Sequence, residues 1–189
     1  ASARERGGQR ERWLHSGGES LVSMDTLSEV LRAVRLTGAI FFRVDAASPF
    51  VAEAPASARI APLIMPGSEH VIEYHVVTRG SCFGGLVGEP AVELHEGDVI
   101  VFPQGDSHVI SSAPGMRAEP DWDVHRHPEN GVLPIAISLG AGGGAGAELV
   151  CGFLGCDARP FNPLLATLPR LLHVPGGARG ARGAGQLAQ

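Results

Sequence analysis

Three side chains of the kind that bind metals or exchange protons occur in two short segments of the sequence. Glu73 and His75 lie two residues apart in Val71–Thr78, whose β-branched residues predict a strand. Because the side chains of a strand alternate between its two faces, Glu73 and His75 point to the same face. His108 occurs 33 residues after His75. Two imidazoles and a carboxylate can together bind zinc, iron or manganese.

The segment that ends at His108 has a local conformation that its residues largely determine. Gly97 and Asp98 turn the chain into a short apolar strand, and Pro103 and Gly105 then favour a tight reversal. This reversal directs His108, at the start of the next strand, back toward the interior of the predicted β-structure.

The three cysteines are odd in number and irregularly spaced, so they match neither a disulfide framework nor a CxxC zinc motif. They are expected to be reduced thiols in a cytoplasmic protein. Cys82 and Cys151 are interpreted as small buried residues rather than as thiolate ligands. Cys156, in a predicted turn, is expected to be exposed.

His125-x-His127, with Asp121 and Asp123 beside it, has the spacing of a surface metal clip. Its polar surroundings favour a solvated charged segment instead. No nucleophile motif such as Gly-x-Ser-x-Gly, no His-Glu-x-x-His and no phosphate-binding glycine loop occurs in the sequence. The sequence therefore assigns no catalytic residue.

Short strands separated by Gly, Pro and Asp turns, with no helix between them, predict a mainly β chain folded as an antiparallel sandwich or barrel. The polar connection Met116–Gly131 is expected to be a mobile loop, and Gly140–Gly146 a flexible turn. The predicted strands are Ala39–Val44, Val71–Thr78, Ala91–Leu94, Asp98–Phe102, Ser107–Ser111, Leu133–Ser138 and Glu148–Phe153.

Helices are predicted at both ends of this β-rich region. Thr26 and Glu29 form a capping-box pattern that opens a short N-terminal helix, and Asn162-Pro163 opens a C-terminal helical segment. The first helix is expected to cover the barrel with Leu27, Val30, Leu31 and Val34. The leucines at the C-terminal end are favoured as an interface, and they are Leu164, Leu165, Leu168, Leu171 and Leu172.

Length and charge restrict the class of protein. The 189 residues suffice for one domain, which we assign to residues 24–175, with a disordered leader over 1–23 and a flexible tail over 176–189. The domain carries 17 acidic residues and 9 arginines. This negative charge opposes direct binding to nucleic acid, and no apolar run is long enough to span a membrane. All 15 basic residues are arginine, which is typical of a GC-rich bacterial genome.

The segment Gly97–His108 resembles the second sequence motif of the cupin family: glycine, five residues, Pro-x-Gly, two residues and histidine. The first cupin motif is incomplete. Glu73 stands where the family has its glutamate, but Gly67 and Glu69 replace the usual His-x-His pair, and His70 is one place out of register.

Residues 25–175 resemble more specifically the N-terminal cupin-type domain of AraC-family transcriptional regulators. The segments that carry this resemblance are Asp25–Leu31, Gly38–Phe42, His75–Cys82, Gly97–His108, Val150–Gly152 and Pro163–Pro169. The resemblance implies a cupin barrel, a double-stranded β-helix of jelly-roll type, with a short N-terminal helix and C-terminal helices. It also implies a bacterial, cytoplasmic, dimeric domain that binds a small-molecule effector. DNA would be bound by a C-terminal helix-turn-helix part that this chain does not contain.

In this register the barrel interior brings together Glu73, His75, Phe102 and His108, which are the expected ligand-binding residues. Glu73, His75 and His108 would also be the ligands of a divalent metal, which could be Zn, Fe, Mn or Ni. The leading interpretation is a sensor domain without catalysis. The alternative is a stand-alone cupin metalloenzyme of the oxygenase or isomerase type, and loss of the His-x-His pair opposes it.

Overall fold

The computed structural model describes residues 37–125, 132–156, 165 and 167–177. The leader over residues 1–23, the N-terminal helix expected from Thr26 and the tail beyond residue 177 lie outside these described residues. So does most of the helical segment expected after Asn162, of which Leu165 and Thr167 are described as helical.

The described residues include nine β-strands, the α-helix Ser57–Ile64, the helical residues Leu165 and Thr167, and a 3₁₀ turn at Asp123–His125. The mainly β class predicted from the sequence is confirmed. In chain order the elements are β1 (Thr37–Ser48), β2 (Val51–Ala54), α1 (Ser57–Ile64), β3 (His70–Leu86), β4 (Val92–His95), β5 (Val99–Phe102), β6 (His108–Ser111), β7 (Ile135–Leu139), β8 (Gly144–Cys156) and β9 (Leu172–Val174).

The long strand β3 is the centre of a single curled sheet. Its first half pairs with β5 on one edge and with β8 on the other, and its second half pairs with β4 and β6. Each of the seven predicted strands corresponds to an observed one, and β1, β3 and β8 are longer than predicted. The pairs of the sheet are antiparallel as predicted, except that β1 and β7 pair in parallel.

The strands β2 and β9 and the helix α1 were not predicted. The helix has its buried residues Ser57, Ile60, Ala61 and Ile64 at positions i, i+3, i+4 and i+7, which is a helical face. Pro62 within so short a segment opposes a helix assignment, because proline removes a backbone donor. Packing of the buried face against the sheet outweighs this local preference.

The C-terminal segment is only in part as expected. Leu172, which belongs to the leucine set favoured as an interface, begins strand β9, and this strand pairs antiparallel with β5. Val99, Ile100 and Val101 provide the facing positions of the ladder. The edge of β5 that does not pair with β3 has free backbone hydrogen-bonding groups. A strand can pair with these groups and a helix cannot, which favours β9.

The glycine-rich segment Gly140–Gly146 is not a flexible turn. Its second part begins strand β8, and the segment packs directly on the backbone of β1 and the turn that follows it. A Cβ atom at Gly140, Gly142 or Gly146 would fall on a carbonyl oxygen of that backbone. The glycines therefore permit a close approach of two chain segments.

The hydrophobic core lies inside the curled sheet and contains an aromatic cluster of Phe41, Phe42 and Phe153. The rings of Phe41 and Phe153 meet edge to face at 5.0 Å between centroids. No helix within the described residues has the length and hydrophobicity required to cross a bilayer.

We predict that Gly146→Ala destabilises the protein, because the added methyl group would overlap the carbonyl oxygen of Ala46. Overpacking of this kind costs about 1–3 kcal/mol of unfolding free energy. Gly143→Ala is the matched control, since no atom lies within 4 Å of its added Cβ. Urea unfolding of both variants measures the difference. Equal stabilities would show that the segment is free to move away from β1.

Candidate functional site

Glu73, His75 and His108 meet at one point inside the sheet. Their ligand atoms all lie within 4.8 Å of one another, and all three side chains are buried. The Nε2 atoms of His75 and His108 are 2.8 Å apart, and His108 Nε2 is 3.4 Å from Glu73 Oε2. We call these three residues the polar triad.

The sheet register produces this convergence. Glu73 and His75 lie on the same face of β3, and β6, which starts with His108, pairs with the second half of the same strand. Phe102, the last residue of β5, stacks on the His108 ring with 3.7 Å between centroids and 13° between planes. This stacking fixes the plane of the imidazole.

Two further groups orient the triad through hydrogen bonds. The hydroxyl of Ser57, at the start of α1, donates to Glu73 Oε1 at 3.0 Å. His108 Nδ1 donates to the backbone oxygen of Asp106 at 3.1 Å. Both contacts leave the remaining ligand atoms, Glu73 Oε2 and His108 Nε2, directed at the shared point.

Burial keeps the triad uncharged near neutral pH. Desolvation raises the pKa of Glu73 to about 8, and the hydrogen bond from Ser57 offsets this only in part. Desolvation likewise lowers the pKa of His108 to about 4. The pKa of His75 falls well below its usual value through desolvation and the proximity of His108. The protein thus avoids an unpaired buried charge.

The hydrogen bonds determine which nitrogen of each neutral imidazole carries the proton. Since the oxygen of Asp106 can only accept, His108 has its proton on Nδ1 and a lone pair on Nε2. The short contact between the rings then requires His75 Nε2 to donate. His75 Nδ1 is left with a lone pair, and it is the one buried side-chain polar atom in the described residues without a hydrogen-bond partner.

The triad fits a divalent metal ion by the chemistry of its donor set. Two imidazole nitrogens and one carboxylate oxygen face a common point, and each can present a lone pair there once the shared protons leave. Metal binding would therefore release one proton, that of Glu73, while His75 would move its proton from Nε2 to Nδ1. Glu73, His75 and His108 are the residues that would hold the ion.

A cavity of about 290 Å³ opens from the triad. Its walls are mostly apolar, and Glu73, His75 and His108 contribute to its lining. An apolar cavity with a few convergent polar groups is typical of a small-molecule site. The largest apolar side chains of the wall are Phe42, Ile110, Ile137, Leu139, Leu149 and Phe153.

The described part of the polar connection after Met116, residues 117–125, forms part of this cavity and is packed rather than a mobile loop, while residues 126–131 lie outside the described residues. Trp122 packs against the hydrophobic core, and Arg59 of α1 lies over its ring at 4.3 Å. His125 is buried, donates from Nδ1 to the oxygen of Asp121 at 3.0 Å, and meets Phe42 edge to face.

The interpretation of this segment as a solvated charged one is confirmed only in part, because Asp121 and Asp123 are exposed whereas His125 is buried. His125 lines the cavity together with Asp121 and is not available for a surface metal clip, while His127 lies outside the described residues. Asp123 is exposed, and its backbone N–H donates to Asp121 Oδ1.

The cysteines are buried. Cys82 and Cys151 have the predicted role of small buried residues, and burial raises the pKa of Cys82 to about 12 and that of Cys151 still further. Neither thiol is a thiolate at neutral pH. The expectation that Cys156 is exposed is wrong, because it packs beside Ile72 and Leu165 in a small satellite cluster.

Phe102 has a different place from the one expected from the sequence. It is fully buried and supports His108 from behind instead of lining the cavity. His70 lies outside the triad and donates to the oxygen of Pro103 at 2.7 Å. Gly67 and Glu69, which occupy the places of the usual histidine pair, precede β3 and do not join the triad.

Sequence reasoning missed Ser57 and the cavity wall, and it assigned His125 to the surface. Ser57 precedes Glu73 by 16 residues, and nothing in its local sequence indicates that its hydroxyl reaches a carboxylate. The burial of His125 depends on aromatic residues from β1 and β8. These are tertiary contacts between segments that are distant in sequence.

Comparison with protein families agrees with the fold and the triad. The family model described as Cupin matches residues 25–189. This is most of the chain, and the chain therefore belongs to the cupin family. A search of curated proteins finds no match.

We predict that the metal-free protein loses stability as the pH rises from about 6.5 to 8. Folded Glu73 keeps its proton up to a pKa of about 8, whereas the unfolded side chain ionises near 4.5, so unfolding releases a proton in this range. The unfolding free energy then falls by up to about 1.4 kcal/mol per pH unit. Below pH 6.5 the two histidines oppose this trend, because their pKa values are lower in the folded state.

Urea unfolding in EDTA at several pH values measures this dependence. In Glu73→Gln the fall between pH 6.5 and 8 should disappear, because the amide does not titrate. Glu93→Gln, at an exposed position of β4, is the control and should keep the wild-type profile. An unchanged slope in Glu73→Gln would assign the pH dependence to another group.

Proposed function

We propose that this chain is the small-molecule-sensing cupin domain of an AraC-like transcriptional regulator. The observation that carries the proposal is the apolar cavity of about 290 Å³ with the polar triad as its main convergent polar group. In this proposal a small effector places its apolar part against the wall and its polar end at the triad.

The chemistry of the cavity lining supports binding rather than covalent catalysis. The lining contains one thiol, that of Cys151, and burial raises its pKa far above neutrality. The thiol is therefore protonated and weakly nucleophilic. The carboxylic acid of Glu73 is uncharged near neutral pH as well. Such groups can form hydrogen bonds to an effector without reacting with it.

The resemblance in the sequence supports the regulatory part of the proposal. It extends over residues 25–175 and includes the segments His75–Cys82 and Gly97–His108, which contribute His75 and His108 to the cavity lining. In this proposal the domain is a homodimer, and DNA is bound by a helix-turn-helix part outside residues 1–189. An effector would act by its different affinity for two arrangements of the domain.

The second candidate is a cupin metalloenzyme of the oxygenase or isomerase type, and the triad is the observation that favours it. Glu73, His75 and His108 would hold the metal, and a bound divalent metal supplies Lewis-acid polarisation of a substrate oxygen. The cavity would position the substrate and limit its contact with water. The absence of the family's His-x-His pair leaves the ligand set smaller than that of the usual cupin centre.

The sensor proposal predicts that the metal-free protein binds small organic compounds in the cavity. The probe is a panel of small aromatic and aliphatic alcohols, amines and carboxylic acids, tested in EDTA by thermal shift and calorimetry. Ala118→Leu, which adds volume to a residue that lines the cavity, should abolish binding of every compound that binds the wild type.

Ala113→Leu is the matched control, because Ala113 is exposed and lies outside the cavity lining. It should bind as the wild type does. Binding that survives in Ala118→Leu would place the compounds elsewhere on the protein. Binding that occurs only after metal is added, together with turnover of the compound, would favour the metalloenzyme.

Metal binding by the triad is tested separately. Wild type dialysed against Zn²⁺ or Ni²⁺ should bind about one ion per chain, measured by elemental analysis and calorimetry. Glu73→Gln keeps the shape of the side chain but removes the anionic ligand, and we expect its affinity to fall at least about tenfold. His95→Ala removes an exposed histidine and is the control. An equal loss in His95→Ala would indicate surface binding.

A further inference from the structure

The C-terminal part of the described chain contacts the segment that carries His108. We call residues 168–176 the C-terminal strap. Gln104, in the reversal before His108, donates from Nε2 to the backbone oxygens of Leu165 at 2.8 Å and Leu168 at 3.0 Å. One side chain thus connects the reversal to the start of the strap.

A charged contact lies next to this one. Arg170 donates from Nε to Asp106 Oδ2 at 3.2 Å and from Nη2 to Asp106 Oδ1 at 2.8 Å. Its remaining nitrogen, Nη1, donates to Glu89 Oε1 at 2.6 Å. A two-pronged contact of this kind fixes the direction of a carboxylate better than a single hydrogen bond does. Arg170 therefore restrains Asp106 in one orientation.

The C-terminal end of the strap contacts Asp98, which lies at the start of the segment that carries His108. His173 donates from Nε2 to Asp98 Oδ2 at 2.9 Å, and the backbone N–H of Gly176 donates to Asp98 Oδ1 at 2.7 Å. Between these contacts β9 pairs with β5 at three positions. The strap therefore follows the segment from Asp98 to Asp106 along its whole length.

The opposite side of that segment faces the polar triad. In β5, Phe102 pairs with Glu73 and Ile100 pairs with His75 across the ladder to β3. The backbone oxygen of Asp106 accepts the Nδ1 proton of His108. Asp106 thus contacts the strap through its side chain and the triad through its backbone.

We infer that the C-terminal strap positions His108, with Arg170 as the positioning residue that acts through Asp106, so that occupancy of the triad and docking of the strap are coupled. The inference rests on the proposed role of the triad as the binding site. It adds the route by which binding would alter the C-terminal end of the domain.

The coupling works in both directions by thermodynamic necessity. If docking of the strap on the sheet strengthens ligand binding at the triad by some factor, ligand binding strengthens docking of the strap by the same factor. The three-residue ladder of β9 and the exposed contact of Arg170 make the strap an element that can open locally. Since an exposed ion pair contributes little, the expected factor is about two- to fivefold.

The test uses Zn²⁺ alone as the probe and the complete chain as the protein. Calorimetry should show that Arg170→Ala binds Zn²⁺ about two- to fivefold more weakly than wild type. Arg170→Lys keeps the charge but not the two-pronged contact, and its affinity for Zn²⁺ should lie between those of wild type and Arg170→Ala. Arg79→Ala is the matched control, because Arg79 is also an exposed arginine in an ion pair, with Glu148, away from the segment 98–106.

Hydrogen exchange tests the reciprocal effect. Zn²⁺ should slow exchange of the backbone amides of Leu172–Val174 in wild type and in Arg79→Ala, and slow it less in Arg170→Ala. Gln104→Ala removes the other end of the connection and should reproduce the result of Arg170→Ala. A purely structural strap would show faster exchange in both strap variants without any change in Zn²⁺ affinity.

Two results would overturn the inference. One is wild-type Zn²⁺ affinity in both Arg170→Ala and Gln104→Ala, and the other is the absence of Zn²⁺ binding by the wild type. Neither result affects the binding of organic compounds by the metal-free protein, which tests the sensor proposal. Failure of the inference and failure of the proposed function are therefore distinguishable.

Discussion

The site depends on the burial of three titratable side chains against one another. Glu73, His75 and His108 lose nearly all contact with water, and each responds by favouring its uncharged form. A buried group without charge still needs hydrogen-bond partners. The helix α1, which supplies Ser57, and the reversal after β5, which supplies the oxygen of Asp106, provide them.

The triad is surrounded by strands of the sheet and by the connection that follows Met116. The strand β3 holds two of its members and is flanked by β5 and β8, which provide Phe102 and Cys151 beside them. The connection after Met116 then closes part of the cavity with Asp121 and His125. A ligand bound there would contact strands, loop and triad together, which suits a domain whose proposed role is to convert binding into a change of arrangement.

The sequence predicts the parts of this site that depend on local geometry. Strand alternation places Glu73 and His75 on one face, and the glycine and proline positions between Gly97 and His108 predict the reversal that follows β5. The role of Phe102 could not be predicted, because alternation indicates that a side chain is buried but does not identify its neighbour. The burial of His125 and the contact of Ser57 with Glu73 arise from chain segments that meet only in the folded state.

The buried cysteines have a consequence for the chemistry of the whole domain. Cys82, Cys151 and Cys156 are all inside the fold, and the first two hold their protons far above neutral pH. An oxidant or alkylating reagent can react with these thiols only in molecules whose structure has opened, because thiolate character and exposure govern the reaction of a cysteine. The reaction rate of these thiols therefore reports how often the sheet opens. Measuring it requires no label attached to the protein beforehand.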